Sequence, residues 1–305
     1  MNYSVLLQQI TMIFAIAALG FFAAKAGLIT ESGNKTVSKL ILYLTLPAMI
    51  IASVADVPSS ISSGDIFLCI GISFFSYGIL GLIGFVISRI IKGNQSDRGL
   101  YIFVTMFGNV GFMGFPILSA IYGSQAVFIA AIFNIPMNLL SFTLGVLLVA
   151  PPGTKLSIKE FFTPSVVSSI AAPILYLLPF TVPSAIYEGC SLLGNATVPL
   201  AMLLIGSTVA RMPFREIWNH PNLYILAGAK LLLCPLALWL CLKPFVHDPL
   251  FFGIAVVLGM MPTATNSTLL CIEYGGNEQL AGRCVCISTL LSAVTIPLML
   301  FLLFS

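Results

Sequence analysis

Residues 107–116 read Phe-Gly-Asn-Val-Gly-Phe-Met-Gly-Phe-Pro, and they interrupt a run that is otherwise apolar from Leu100 to Tyr122. Each glycine costs about 1 kcal/mol relative to alanine inside a helix, and a proline costs about 3 kcal/mol. The stretch therefore predicts a helix that stops, runs extended for a few residues and restarts. Because hydrocarbon cannot satisfy the freed backbone groups, the gap must be sheltered from lipid. Asn109 lies in this gap, between a positive and a negative helix end. A kink that only serves helix packing is the alternative.

A second interrupted run lies in the other half of the chain. Residues 258–268 read Leu-Gly-Met-Met-Pro-Thr-Ala-Thr-Asn-Ser-Thr and again combine a glycine, a proline and an asparagine. Gly108 and Gly259 lie about half a chain apart. Paired interruptions in corresponding halves are typical of the solute sites of secondary transporters. The two stretches together predict two broken helices that bind a solute at mid-membrane.

The composition is that of an integral membrane protein. Of the 305 residues, 59% are hydrophobic and 8% are charged, whereas soluble proteins carry roughly 25% charged residues. The seven cysteines are scattered and no histidine cluster accompanies them, so neither disulfides nor a metal site is expected. The sequence has no GxxxxGK[ST] loop and no HExxH motif, which argues against a primary pump and a zinc protease. We expect no enzymatic activity, no cofactor and no nucleic-acid partner.

The apolar runs predict ten membrane spans, since about 20 residues cross a bilayer. The first is expected to be a span and not a cleaved signal peptide, because no basic residue precedes it. A polar linker, residues 151–164, follows span 5. The predicted spans are residues 5–27, 37–54, 66–91, 100–122, 125–149, 165–182, 192–210, 223–242, 250–273 and 282–304.

Landmarks recur in the same order in the two halves. The broken runs are spans 4 and 9, and two proline motifs recur in spans 2 and 7 and in spans 5 and 10. Because each half has five spans, the second half must be inverted relative to the first. We therefore predict an all-α membrane protein of ten transmembrane helices, arranged as two inverted five-helix repeats in residues 1–150 and 165–305. The proline motifs are Leu46-Pro47-Ala48-Met49, Val198-Pro199-Leu200-Ala201-Met202, Ile135-Pro136-Met137 and Ile296-Pro297-Leu298.

The basic residues predict the orientation of the chain. Eleven lysines and arginines lie in the connections on one side of the ten spans, and Lys243 alone lies on the other side. Cytoplasmic loops carry the excess of Lys and Arg. Both termini are therefore expected on the non-cytoplasmic side of the plasma (inner) membrane.

Lys230 is the one basic residue well inside a predicted span. A charge at membrane depth is a functional hypothesis by default and would favour an anionic solute. The alternatives are that its amine reaches the cytoplasmic interface or pairs with helix-end carbonyl groups. Acidic residues are absent from the span centres, so a sodium site would need neutral oxygen ligands. The candidates for that role are Thr263, Thr265, Asn266 and Ser267.

Two further polar side chains lie one helical turn apart in span 5. Asn134 and Asn138 either face the gap or tie neighbouring helices together by hydrogen bonds. The residues alone leave both roles open. Pro47 and Pro199 are expected to kink their helices and shape a cavity wall.

Short motifs along the whole chain resemble the auxin efflux carrier family. The long hydrophilic loop of the plant carriers is absent here, which points to a compact, prokaryote-type member. The motifs are Gly20-Phe-Phe-Ala-Ala-Lys-Ala-Gly-Leu-Ile29, Leu46-Pro47-Ala48, Asn109-x-Gly111-Phe112-x-Gly114-x-Pro116, Pro262-Thr263-Ala264, Tyr274-Gly275, and Ser288-Thr-Leu-Leu-Ser292 with Ile296-Pro297.

The resemblance implies a fold shared with bile-acid transporters and proton–sodium exchangers. Spans 1, 2, 6 and 7 would form a scaffold, and spans 3–5 and 8–10 would form a mobile domain that slides like an elevator. Family substrates are small organic anions, such as auxin or bacterial carboxylates. Lys230 as an anion partner does not come from a family motif. The residues carried over as the crossover are Asn109, Gly111, Gly114, Pro116, Pro262 and Thr263.

These observations predict a carrier that moves a small organic anion, such as a mono- or dicarboxylate or an auxin-like acid. The expected site comprises the crossover residues with Asn266, Asn134, Asn138 and Lys230. The inside-negative membrane potential would favour anion export. A sodium- or proton-coupled symporter of the same fold and a membrane receptor that binds the anion without moving it are the alternatives. Membrane lipid is an expected partner, and a homodimer is left open.

Overall fold

The structure, a computed structural model, describes residues 3–57, 61–91, 93–150, 162–178, 183–211 and 220–304. These residues are helical throughout, apart from short connections and one isolated β-bridge. The all-α fold class is therefore confirmed. Most of the predicted linker, residues 151–161, lies outside the described residues, as do the predicted cytoplasmic cations Lys92, Lys155, Lys159 and Arg215.

Each predicted span contains helix, with two helices in place of each broken run. The helices of spans 2 and 7 begin at Glu31 and Ser184, well before the predicted residues 37 and 192. We number them along the chain. They are α1 (Tyr3–Lys25), α2 (Glu31–Asp56), α3 (Ser63–Ile90), α4 (Arg98–Met106), α5 (Val110–Tyr122), α6 (Ser124–Val149), α7 (Pro164–Leu177), α8 (Ser184–Ala210), α9 (Pro221–Leu242), α10 (Pro249–Gly259), α11 (Asn266–Tyr274) and α12 (Glu278–Phe304).

Seven helices in the described part of the chain are long and apolar enough to cross a membrane, judged by length and composition. They are α1, α2, α3, α6, α8, α9 and α12. The interrupted runs yield shorter helices, because each is divided by its gap. Helix α7, in the predicted span 6, is also shorter, with 14 residues, and residues 179–182 of that span lie outside the described residues. The lengths and composition of these helices are therefore consistent with a multi-pass membrane protein, and the ten-span inverted layout stays a prediction.

The chain forms two compact units. The first comprises Met1–Ile72, Gly111–Pro136 and Phe161–Arg211, and the second comprises Ser73–Val110, Met137–Glu160 and Met212–Ser305. The predicted division into two sequential repeats, and that into scaffold and mobile domain, remain predictions.

Helices α1 and α8 pack closely in the first unit, through glycines on α8 and α1. A Cβ atom at Gly206 would lie 1.7 Å from the carbonyl oxygen of Ala17, and one at Gly20 would lie 2.3 Å from the carbonyl oxygen of Leu203. Membrane helices associate through small residues because lipid supplies no hydrophobic drive for their packing. The two glycines therefore let these backbones approach.

Gly206→Ala is expected to destabilise the first unit, because its methyl group cannot coexist with the Ala17 carbonyl unless the helices separate. Overpacking of this kind costs about 1–3 kcal/mol. Gly189→Ala on the same helix is the control, since no atom lies within 4 Å of the added Cβ. Thermal unfolding in detergent should give a lower midpoint for Gly206→Ala alone. Equal midpoints for the two variants would contradict the packing described here.

A widened, π-helical turn precedes a proline in three helices. The turns are Ile41–Thr45, Val110–Gly114 and Ala229–Leu233, and Pro47, Pro116 and Pro235 follow them. A proline lacks the backbone donor and its ring clashes with the carbonyl group one turn earlier. A π turn gives that carbonyl room while the helix continues. Lys230 lies within the third of these turns, so the same distortion sets the position of its side chain.

Candidate functional site

Both interrupted runs are broken in the structure. Helix α4 ends at Met106 and α5 begins at Val110, while α10 ends at Gly259 and α11 begins at Asn266. Short non-helical segments lie between the helices of each pair. Gly108 and Pro262 lie in these segments, as the sequence predicts.

The two segments pair with each other as a minimal antiparallel ladder. The backbone N–H of Asn109 donates to the carbonyl oxygen of Pro262 at 2.7 Å, and that of Ala264 donates to the carbonyl oxygen of Phe107 at 3.1 Å. Gly108 and Thr263 lie opposite each other between these bonds. The ladder satisfies backbone groups that the helix breaks release, which is a requirement at membrane depth.

The hydrogen-bond pattern is the same for the two paired segments. Each strand donates one backbone hydrogen bond and accepts one, on either side of the Gly108–Thr263 pair. Such an arrangement is unchanged by a local two-fold rotation about that pair. Every antiparallel pair has this local symmetry, so the ladder does not test the inverted repeat, which stays a prediction.

Side chains from other segments cap the carboxyl end of α4. Its last carbonyl groups have no partner within the helix. The Thr263 hydroxyl donates to the carbonyl oxygen of Val104 at 3.0 Å, and the Cys234 thiol lies 3.9 Å from that of Thr105. The Lys230 amine lies 3.5 Å from the carbonyl oxygen of Met106. Three successive carbonyls are thus covered, and the negative helix end receives a cation.

Lys230 is buried at this point with 1% of its surface exposed. Its Nζ lies 3.4 Å from the position that a Cβ atom would take at Gly108, so the amine is beside the paired segments. Among the described residues, the only salt bridge joins Lys35 and Glu31 on the surface. The expected pairing with a helix-end carbonyl is therefore present, and no described carboxylate neutralises the amine. Whether Lys230 also contacts solute stays a prediction.

The paired segment that contains Thr263 is hydrogen-bonded to α12. The backbone N–H of Thr263 donates to the Ser288 hydroxyl at 3.1 Å, and this hydroxyl donates to the carbonyl oxygen of Cys284 at 2.7 Å. The Ser267 hydroxyl donates to the carbonyl oxygen of Ala264 at 2.8 Å. The hydroxyl protons of Thr263 and Ser267, both suggested as sodium ligands, are thus used within the protein. No cluster of three or more His, Cys, Asp or Glu residues suited to a metal is found in the described part of the chain.

The predicted site residues are divided between the two units. The second unit contains Asn109, Asn138, Lys230, Pro262, Thr263 and Asn266, and the first contains Gly111, Gly114, Pro116 and Asn134. The three asparagines Asn109, Asn134 and Asn138 are buried, with 6–7% of their surface exposed. Within the second unit, Asn109, Lys230, Pro262 and Thr263 meet at the ladder.

Sequence reasoning did not single out several residues of this arrangement. Phe107 and Ala264 take part through their backbones, so no side-chain signal identifies them. Tyr77 stacks on Phe107 with ring centroids 5.8 Å apart. Ser288 and Cys234 cover backbone groups, and only the position of Ser288 in a motif that resembles the auxin efflux carrier family could have pointed to it.

Comparison with known proteins finds a membrane transport family and several transporters to which the chain is similar. The sequence model of the family described as membrane transport protein matches residues 5–160 and 153–300. The chain is 28% identical over 305 residues to the "Putative malonate transporter" of Rhizobium meliloti (strain 1021), covering 95% of this chain and 93% of the relative. It is 26% identical over 301 residues to an "Uncharacterized transporter" of Methanothermobacter thermautotrophicus, covering 95% and 96%. It is 24% identical over 310 residues to the "Uncharacterized transporter YfdV" of Escherichia coli (strain K12), covering 95% of each.

Proposed function

The chain belongs to the membrane transport protein family, and we propose that its transported solute is a small organic anion. The family match confirms the resemblance to auxin efflux carriers that the sequence motifs indicate. The protein is thus a membrane transporter, and its relatives are transporters by name. The solute, the mechanism and the source of energy are proposals.

The observation that carries the proposal is the buried amine of Lys230 beside the paired segments. Removing an ion from water costs several kcal/mol unless a counter-ion and hydrogen bonds compensate. One carbonyl oxygen at 3.5 Å is its hydrogen-bond acceptor, and an ammonium group has three donors. An anionic solute would supply the missing charge. The amino-terminal end of α11, which begins at Asn266, would add a favourable partial charge.

Carboxylates are the anions that agree both with the hydrogen-bond donors near Lys230 and with the name of one relative. The Rhizobium meliloti relative carries malonate in its name, and malonate is a short dicarboxylate. A carboxylate also accepts hydrogen bonds from amides such as that of Asn109. We therefore propose a mono- or dicarboxylate as the solute.

For the mechanism we propose two inverted five-helix repeats with an elevator-like movement. Spans 1, 2, 6 and 7 would be the scaffold, and spans 3–5 and 8–10 the mobile domain. The presence of one helix break in each half and the recurring proline motifs support the inverted repeat. The distribution of Lys and Arg supports a plasma-membrane protein with both termini outside the cytoplasm.

The driving force that we propose is the membrane potential. An inside-negative potential contributes about 2.3 kcal/mol per charge per 100 mV toward anion exit. The described span centres contain no carboxylate for a proton relay or a sodium cage, which favours a uniporter. A sodium- or proton-coupled symporter and a receptor that does not transport are the competing functions.

Counterflow in proteoliposomes tests the proposal. Vesicles loaded with unlabelled malonate should accumulate labelled malonate. Net uptake into vesicles without malonate should rise when the potential inside the vesicle is made positive. A series of other mono- and dicarboxylates defines the preferred solute. Dependence on a sodium or proton gradient would identify a symporter instead, and binding without counterflow would identify a receptor. If no carboxylate in the series binds or moves, the proposed solute class is wrong.

Asn109→Ala should weaken malonate binding by about tenfold or more while leaving the protein folded. The ladder uses the backbone N–H of Asn109, which alanine retains, whereas the amide that would contact the solute is lost. One hydrogen bond to an anion accounts for a change of this size. Malonate-dependent thermal shifts measure the affinity, and the midpoint without malonate reports folding. Unchanged affinity would remove Asn109 from the site.

A further inference from the structure

A long apolar groove runs along α9 in the second unit. It encloses about 670 Å³ between α3, α9 and α12, and all of its lining residues belong to that unit. The volume lies within the roughly 300–1,000 Å³ that is typical of small-molecule sites. None of the residues that form the ladder lines the groove, so it is separate from the proposed solute site. The lining residues include Ile87, Tyr224, Gly228, Leu236, Leu298 and Leu302.

Gly228 leaves part of the groove without a side chain on α9. No atom lies within 4 Å of the position that a Cβ atom would take there, and the π turn Ala229–Leu233 follows directly. Ile225, Leu233 and Leu302 border the groove and are exposed, with 43–57% of their surface accessible. In a membrane-spanning helix, exposed side chains of this kind contact lipid tails, which are as apolar as leucine.

The length of the groove matches one leaflet of a bilayer. Tyr224 and Leu236 are its first and last lining residues on α9. They lie twelve residues apart, which is about 18 Å of helix at 1.5 Å per residue. The hydrocarbon core of a bilayer is about 30 Å thick, so one leaflet contributes about 15 Å. The groove therefore has the length of one acyl chain of a phospholipid.

Basic side chains lie at the predicted cytoplasmic end of the groove. The guanidinium Nη1 of Arg283, on α12, lies 3.2 Å from the imidazole Nε2 of His220, the residue that precedes α9. Tyr224, where the groove begins on α9, follows His220 by about one helical turn. Arg89 lies in the last turn of α3, two residues beyond the lining residue Ile87. Each helix that lines the groove thus carries or follows a basic residue at this end.

We propose that an anionic phospholipid binds here, with its phosphate at Arg283 and His220 and one acyl chain along the groove. A guanidinium group donates charge-assisted hydrogen bonds to phosphate oxygens. Basic pockets between membrane helices on the cytoplasmic side bind anionic headgroups. The combination of a basic end with an apolar groove one leaflet long distinguishes this lipid from those that coat the other apolar faces. The inference does not depend on the identity of the transported solute.

Titration of the purified, delipidated full-length protein with two phospholipids tests the headgroup contact. Phosphatidylglycerol should bind about tenfold more tightly than phosphatidylcholine with the same acyl chains, as measured by native mass spectrometry and lipid-dependent thermal shifts. Arg283→Gln should remove this preference, because a charge-assisted hydrogen bond accounts for about tenfold in affinity. The affinity for phosphatidylcholine should not change. Glycerol 3-phosphate, which has no acyl chain, should not bind at the same concentrations.

Gly228→Leu tests the acyl-chain contact, because its side chain would occupy the groove. It should weaken the binding of both phospholipids by about tenfold, the effect of displacing about two methylene groups from apolar contact. Gly78→Leu is the matched control, since Gly78 is an exposed glycine of α3 outside the groove with no atom within 4 Å of the new Cβ. The unfolding midpoint without added lipid reports folding. If Gly228→Leu does not fold, Leu232→Trp fills the same groove from an exposed position.

Lys243→Gln is the charge control, because Lys243 is an exposed lysine just beyond the opposite end of α9, and it should keep the preference for phosphatidylglycerol. Loss of the preference in Lys243→Gln and not in Arg283→Gln would place the headgroup at the wrong end. Equal affinities of the unaltered protein for the two phospholipids would mean ordinary lipid contact only. Binding of glycerol 3-phosphate alone would indicate a site for free phosphate, and a dimer that retains no lipid would mean that a second copy covers the groove. Each of these results would overturn the lipid site and leave the proposed function intact.

Discussion

Lys230→Gln is expected to lower the affinity for malonate by about 100-fold while changing the affinity for the neutral analogue malonamide little. The amine is buried beside the Gly108–Thr263 ladder, and no described carboxylate neutralises it. Losing the partner of a buried charge costs a few kcal/mol, and about 2.7 kcal/mol corresponds to 100-fold. Glutamine keeps a donor for the carbonyl oxygen of Met106, so the cap on α4 can persist.

Titration of purified protein with both ligands measures the effect. Lys243→Gln is the control, because Lys243 is an exposed lysine at the end of the same helix and lies over the Trp239 ring at 4.1 Å. It should bind both ligands as the unaltered protein does. Equal losses for malonate and malonamide in Lys230→Gln would show that the lysine supports packing and does not recognise the anion.

A purely structural role for Lys230 would give a different pattern. If the amine only caps α4, its replacement lowers the unfolding temperature without ligand and affects both ligands alike. If it also meets the solute, the loss follows the charge of the ligand. The comparison of unfolding temperature with ligand selectivity therefore separates the two interpretations that the sequence leaves open.

The two broken runs could be predicted from the sequence because glycine and proline act locally. Gly108 and Pro262 disfavour helix whatever surrounds them, and the flanking apolar residues place both gaps at membrane depth. The same local rules predict the all-α class. Lys230 was identified for a similar reason, since a single charge within an apolar run needs no structural context to be recognised.

The partners of these residues could not be predicted, because they depend on distant contacts. Nothing in the sequence pairs Gly108 with Thr263, or directs the Lys230 amine to the carbonyl oxygen of Met106. The extent of each compact unit could not be predicted from local patterns either, because the boundaries after Ile72, Val110 and Pro136 lie within helices.

Gly108→Val should abolish counterflow and lower the unfolding temperature, because the ladder has no room for a side chain at this position. A Cβ atom there would lie 3.2 Å from Met261 Cβ, 3.4 Å from the Leu258 carbonyl oxygen and 3.4 Å from Lys230 Nζ. The two methyl groups of valine must displace the opposite strand or the amine. Overpacking of this kind lowers the free energy of unfolding by about 1–3 kcal/mol. Because the proposed solute site is displaced as well, transport should also be lost.

Gly228→Val is the matched control, since it adds the same side chain on α9 in the same unit with no atom within 4 Å of the new Cβ. It should retain counterflow and stability. Gly108→Ala should be intermediate, because its single methyl group requires the neighbouring atoms to move by a few tenths of an ångström only. Such a graded loss follows if solute binding depends on the close approach of the two strands. A Gly108→Val protein that transports malonate at the unaltered rate would show that the ladder holds the helices together without forming the solute site.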